Sequence, residues 1–175
     1  MALAALLFCP SEARAQQAPF GDGDRGFFFV GFTSGLGMEL SGVKLFGGYK
    51  KGRGDLALEL YAGALSLPPG PGAGIGLAGK YYLLDGQTWR GALGAQVGVK
   101  FAGAVVPVLQ LTGTGEARWS IFSSYLTLKT GVPQVFGAAL GGKMAFAERA
   151  VWLEAKTGVP LLIDGELGYS WPVGL

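Results

Sequence analysis

Ten charged side chains stand at alternating positions within apolar, glycine-rich stretches, and they are the residues whose types and spacing could do chemistry. Charges placed this way can pair with one another inside the protein, or they can line a water-filled path for charged solutes. Mutual pairing is the simpler interpretation, because buried charges are usually paired. The ten residues are Lys44, Glu59, Lys80, Arg90, Lys100, Lys129, Lys143, Glu154, Lys156 and Glu166.

Groups for nucleophilic, acid–base or metal chemistry are scarce. The sequence has no histidine and one cysteine, Cys9, near its start. Zinc and copper therefore lack plausible ligands, and no pair of carboxylates suited to acid–base work is visible. We therefore predict that the protein has no catalytic residue and no metal site, and that it is not an enzyme. The aspartates fall mostly at predicted turns or in the N-terminal segment, as turn chemistry alone predicts: Asp22, Asp24, Asp55, Asp85 and Asp164.

A glycine motif in residues 74–79, G-x-G-x-x-G, matches a dinucleotide-binding fingerprint. That fingerprint requires a strand before it and a helix after it. Here a proline-rich stretch precedes the motif and a strand-like alternation continues through it. We interpret the glycines as positions on a β-strand, and we predict no cofactor.

The composition is unusual for a water-soluble domain. Only 15% of the 175 residues are charged, against roughly 25% in ordinary soluble proteins. Half of the chain is apolar and 32 residues are glycine, a share well above the usual level of about 7%. The net charge of +2 gives no sign of nucleic-acid binding.

The N-terminus has the pattern of an export signal. Residues 2–8 are apolar, and the small residues Ala13 and Ala15 flank Arg14 as in a signal-peptidase site. We predict a signal peptide over residues 1–15, a short polar segment over 16–25 and a β-barrel domain over 26–172.

Hydrophobicity alternates with a period of two from residue 26 onward, which indicates strands. Turn signals separate the strands, among them the proline-rich residues 68–72 and the pair Asp85-Gly86. No apolar run is long enough for a helical membrane span. Ten strands are favoured, with eight as an alternative. The predicted strands are 26–36, 40–50, 55–66, 73–84, 89–101, 104–116, 119–130, 135–146, 150–159 and 162–171.

One face of nearly every strand is apolar, and the other mixes small residues with the ten charges. Facing lipid, each charge would cost up to about 2–4 kcal/mol. The total would exceed the roughly 5–15 kcal/mol by which proteins are normally stable. In a membrane barrel the charges must therefore face the lumen. The sequence predicts an all-β, antiparallel, up-and-down transmembrane β-barrel.

A soluble barrel could turn the same faces the other way, so the aromatic residues are needed to decide. They cluster at the strand ends that share a side with the N-terminus, where an aromatic girdle would meet the membrane interface. The predicted girdle comprises Phe27, Phe29, Tyr49, Tyr81, Trp89, Trp119, Phe146, Tyr169 and Trp171.

Over residues 26–171 this pattern resembles the small OmpA/OmpX-like outer-membrane barrels. The last strand, with Leu167, Tyr169 and Trp171, is similar to the C-terminal signal read by the barrel-assembly machinery in that group. The resemblance implies an outer-membrane location, contact with membrane lipid and that machinery as a partner. The absence of histidine disfavours the outer-membrane phospholipases, lipid A-modifying enzymes and proteases, which use a catalytic histidine.

Together these observations predict an outer-membrane barrel with a structural or passive-pore role. The alternative is a periplasmic, lipocalin-like carrier of an apolar ligand. The permeant solute and the oligomeric state are left open.

Overall fold

The computed structural model describes residues 25–37, 41–66, 69–101, 103–133, 135–146, 149–159 and 162–173. These residues form ten β-strands, and no helix among them is long and apolar enough to cross a membrane. The predicted signal peptide and nearly all of the polar segment that follows it lie outside the described residues. The strands are β1 (Arg25–Gly37), β2 (Ser41–Lys51), β3 (Gly54–Ser66), β4 (Pro69–Asp85), β5 (Trp89–Phe101), β6 (Val105–Trp119), β7 (Phe122–Val132), β8 (Phe136–Phe146), β9 (Arg149–Val159) and β10 (Leu162–Val173).

The sheet closes on itself. Each strand pairs antiparallel with the next in sequence, and β1 pairs with β10 from Gly26 opposite Val173 to Gly37 opposite Leu162. The predicted all-β, up-and-down barrel is therefore confirmed, with ten strands rather than eight. A closed barrel has no free sheet edge, which is what backbone groups inside lipid require.

Side chains alternate between the barrel interior and its outer surface. In β8, for example, Leu140 and Met144 are exposed, whereas Ala139, Gly141 and Lys143 are buried. This alternation follows from the two-residue period of a strand. It divides each strand into an outward apolar row and an inward row of small, polar and charged residues.

The β6–β7 hairpin turns later than the sequence predicts. β6 continues to Trp119, and a two-residue turn of Ser120 and Ile121 leads into β7 at Phe122. Ser120 has a φ of 55°, a left-handed conformation that is uncommon for a residue other than glycine. The turn contains neither glycine nor proline, which are the strongest turn signals in a sequence, so its position could not be predicted.

The proline-rich residues 68–72 are predicted as a turn, but residues 69–72 belong to β4. β4 begins at Pro69, and Pro71 lies opposite Ala64 of β3. Proline cannot donate a ladder hydrogen bond, but it is tolerated in the first residues of a strand. At its other end β4 has a register irregularity between Tyr82 and Leu84.

Short connections join the strands at both ends of the barrel. At the end that holds the first residue of β1 and the last of β10, which we call the termini end, Gly52 and Arg53 turn the chain between β2 and β3. Gly52 has a φ of 56°, which glycine adopts without steric cost. The opposite end is equally compact, with β7 and β8 separated by residues 133–135. The wall of the barrel is thus a nearly continuous sheet that encloses one interior.

Candidate functional site in the barrel interior

The structure gives the burial or the surroundings of each of the ten charged residues singled out by the sequence. Six of them are buried: Glu59, Arg90, Lys100, Lys143, Lys156 and Glu166. The other four border a cavity inside the barrel: Lys44, Lys80, Lys129 and Glu154.

The central group of charges joins three strands around Glu166. Its Oε2 accepts hydrogen bonds from Lys44 Nζ of β2 at 3.1 Å and from Lys156 Nζ of β9 at 2.5 Å. Lys156 Nζ also lies 3.7 Å from Glu154 and 3.9 Å from Asp164. Two lysines and three carboxylates thus share one network across the β9–β10–β1–β2 wall.

A further carboxylate, that of Glu59 on β3, accepts its hydrogen bonds from uncharged groups. It accepts hydrogen bonds from the hydroxyl of Tyr61 and the side-chain amide of Gln96 on β5. The ammonium of Lys44 lies 5.4 Å from the centre of the Tyr61 ring, a distance at which a cation is attracted to the ring face. Glu59 is therefore tied to the Lys44 end of the central network.

Nearer the termini end, Glu116 and Lys143 form a fully enclosed ion pair. Lys143 Nζ lies 3.0 Å from Glu116 Oε1, and neither side chain has measurable exposure. Arg118 Nε lies 3.9 Å from the same oxygen. A charge removed from water loses its hydration, and only a nearby opposite charge offsets that loss. Each of these two side chains therefore depends on the other for its stability in the interior.

A third group closes the β4–β5 hairpin at the same end. Arg90 Nη2 lies 2.6 Å from Asp85 Oδ1, and Lys50 Nζ lies 3.8 Å from Asp85 Oδ2. On β3, Asp55 accepts a hydrogen bond of 2.6 Å from the hydroxyl of Tyr82. These contacts tie β2, β3, β4 and β5 together from the inside.

Six charges outside the ten predicted ones also belong to these side-chain groups, and four of them are acidic. The aspartates are predicted mostly at turns or in the N-terminal segment, but Asp55 and Asp164 are buried within strands. Their parity was available as a signal, since Asp55 is four residues from Glu59 on the same row. The ten predicted residues are seven cations and three anions, a surplus of four cations, and with the further six included the surplus falls to two. The six are Lys50, Asp55, Asp85, Glu116, Arg118 and Asp164.

Two residues of the predicted aromatic girdle point the wrong way for that role. Phe27 and Phe29 are buried in the interior, where Phe29 stacks on Phe46 with ring centres 3.9 Å apart and meets the edge of Trp152 at 4.8 Å. Near its start β1 contains three consecutive phenylalanines, Phe27 to Phe29, so alternation there does not reveal the register. Phe28 is the residue on the outer side, in ring contact with Trp171 at 5.0 Å.

The outer surface is apolar along the whole height of the barrel. Leu58, Leu77 and Val97 lie side by side on β3, β4 and β5 and are 44–47% exposed. Large aromatic side chains stand among the outward residues towards the termini end. The exposed members there are Tyr49, Tyr81, Trp89, Trp119, Phe122 and Phe146.

A cavity of about 100 Å³ lies inside the barrel. It is large enough for several water molecules. Eight of the ten strands contribute to its lining, so it lies across the lumen rather than in a groove of one hairpin. Its lining includes charged side chains, the polar residues Gln96, Thr112 and Thr127, and the rings of Tyr125 and Trp152.

The backbone of the chain is similar to that of a solved porin barrel. KdgM porin superposes on it with a TM-score of 0.52, covering 85% of this chain and 99% of that one at 8% sequence identity. A mutant of Rh. blastica porin gives a TM-score of 0.32 at 12% identity, over 75% of this chain and 55% of that one. No family model and no curated protein match the sequence.

The likeness concerns the backbone, and the interior chemistry described above belongs to this chain. The porin-like barrel presents apolar side chains outside and a network of charges inside. Such polarity is the reverse of that in a water-soluble protein and is typical of a barrel that spans a membrane.

Proposed function

We propose that the protein is an outer-membrane β-barrel with a structural or passive-pore role and without catalytic activity. The observation that carries this proposal is the inverted polarity of the barrel. Residues such as Glu116, Lys143 and Lys156 are buried inside, whereas Leu77, Leu111 and other large apolar side chains are exposed outside. Lipid around the barrel accounts for the second group, and enclosed water with ion pairing accounts for the first.

The same polarity argues against the lipocalin-like carrier. A carrier of an apolar ligand needs an apolar interior and a polar exterior. The cavity here is instead bordered by Lys44, Glu59, Lys80 and other charged groups. Ligand binding of that kind would leave buried charges in contact with an apolar molecule, at a high cost in free energy.

Further parts of the proposal concern export and assembly. Residues 1–15 act as a signal peptide, and the ten charges singled out by the sequence face the lumen. The short connections and paired interior charges suit a small barrel of the OmpA/OmpX-like kind. Leu167, Tyr169 and Trp171 on β10 supply the pattern that the barrel-assembly machinery would read.

Cell fractionation tests the proposed location. We expect the mature protein to begin near Gln16, to remain with outer-membrane fractions after salt washing and to need detergent for release. Because a closed barrel resists detergent at room temperature, unheated samples should migrate differently from boiled ones in gels. A soluble carrier would instead be released with the periplasmic contents and show no heat-dependent migration. That result would overturn the proposal.

The charge count predicts a weak preference for anions if the lumen conducts. The surplus of two interior cations is small and most charges have partners, so the reversal potential under a potassium chloride gradient should indicate only slight anion selectivity. Lys129→Glu replaces a cation at the cavity with an anion and should shift the reversal potential towards cation selectivity. Cation selectivity in the unmodified protein would contradict the charge count.

A further inference from the structure

Two interior aromatic rings lie directly over glycines of the neighbouring strand. Trp152 of β9 is paired with Gly168 of β10, and Tyr125 of β7 is paired with Gly141 of β8. A Cβ added to Gly168 would collide with Cζ2 of the indole, and one added to Gly141 would collide with Cζ of the phenol ring. Each ring therefore occupies the space that a side chain on the opposite strand would fill.

The backbone does not require glycine at either position. Neither Gly168 nor Gly141 is among the glycines of this structure with a positive φ. The reason for glycine is thus the ring above it. We call each glycine with its ring a ring seat, meaning the pairs Trp152–Gly168 and Tyr125–Gly141.

Both ring seats border the cavity. Trp152 and Tyr125 are only 2% and 4% exposed, and both contribute to the cavity lining. The indole is held from the side by the edge contact with Phe29. Lying flat over glycine keeps each ring against the wall, and any displacement from the wall moves it towards the lumen.

We propose that the two ring seats set the bore of the lumen and hence the size limit for solutes. This inference rests on the proposed pore function and adds the residues that control passage. Removing a ring widens the lumen. Adding a methyl group beneath a ring lifts the ring off the wall and narrows the lumen.

A set of four proteins tests the Trp152–Gly168 seat by conductance in planar bilayers with potassium chloride. Trp152→Ala should raise the conductance, roughly twofold, because the indole lines the cavity and its removal widens the path for ions. Gly168→Ala should lower the conductance. In the double variant the methyl group has no ring to displace, so the conductance should match that of Trp152→Ala.

Gly115→Ala is the matched control, because a Cβ at this outward glycine of β6 meets open space. Its conductance should equal that of the unmodified protein. Heat-dependent gel migration identifies variants that fail to fold, and if Gly168→Ala does, the set is repeated on the other ring seat with Tyr125→Ala, Gly141→Ala and their double variant. Exclusion of graded polyethylene glycols gives an independent measure of the bore, which should increase in Trp152→Ala.

The outcomes separate this inference from the pore proposal. If the unmodified protein is silent and Trp152→Ala conducts, the rings close the lumen and the ring-seat inference holds, while the passive-pore proposal fails. Equal conductance in all four proteins overturns the inference and leaves the pore intact. Silence in all four overturns both. An additive loss in the double variant also overturns the inference, because the glycine would then act independently of the ring.

Discussion

Arginine in place of Leu77 is expected to lower the free energy of unfolding by about 2–4 kcal/mol. Leu77 lies on the outer face near the middle of β4, between Leu58 and Val97 of the adjacent strands. In the proposed membrane orientation a guanidinium there is placed in the hydrocarbon core, far from water. Unfolding by urea in lipid vesicles, followed through heat-dependent gel migration, measures the loss.

Leu84→Arg is the control on the same strand. Leu84 also faces outward and is 66% exposed, but it lies next to Asp85 at the termini end, within reach of the interface. The cost there should fall to about 0–1 kcal/mol. If both substitutions cost the same, or neither costs anything, the outer surface does not contact a bilayer in the proposed orientation.

Lys143→Met is expected to destabilise the barrel by about 3–5 kcal/mol. Methionine has nearly the same length as lysine, so the substitution removes the charge with little change in packing. It leaves Glu116, which has no exposed surface, without the ammonium 3.0 Å away and facing the more distant Arg118 Nε at 3.9 Å. The same urea titration in vesicles gives the difference in unfolding free energy.

The double variant Glu116→Gln/Lys143→Met separates the loss of a partner from the loss of an attraction. With the carboxylate neutralised, most of the stability should return, because the main cost is a buried carboxylate that has lost its nearer cation. If Lys143→Met alone has no effect, Glu116 is hydrated in the lumen and the ion pair contributes little. If the double variant is as unstable as the single one, Lys143 acts through packing.

The strand pattern could be predicted from the sequence because it depends on local alternation. Residues 89–101 were predicted as a strand and form β5 without a change of bounds. The two-residue period and the turn signals on either side were enough. The failures are of a different kind: Ser120 and Ile121 make a turn without glycine or proline, and near its start β1 has phenylalanines on both faces.

The interior network is beyond what one sequence can specify. Glu166 contacts Lys44 across the closing pair of strands, although 122 residues separate them. Such contacts depend on the register of each hairpin and on which strands become neighbours when the sheet closes. Alternation gives the face on which a charge lies, but its partner follows from three-dimensional pairing. The ring seats could not be predicted from the sequence for the same reason, because each consists of two residues on adjacent strands.

The pairing of β1 with β10 has a consequence for the order of folding. These strands lie at opposite ends of the described chain, so their contacts have the greatest separation in sequence and the largest loop-closure entropy. Hairpins between consecutive strands can form early, whereas the seam can form only after the whole chain has been delivered. Until then both outer strands expose unpaired backbone groups, which invite pairing with other chains. The ladder between β1 and β10 therefore removes the two sheet edges at which the chain could pair with other chains.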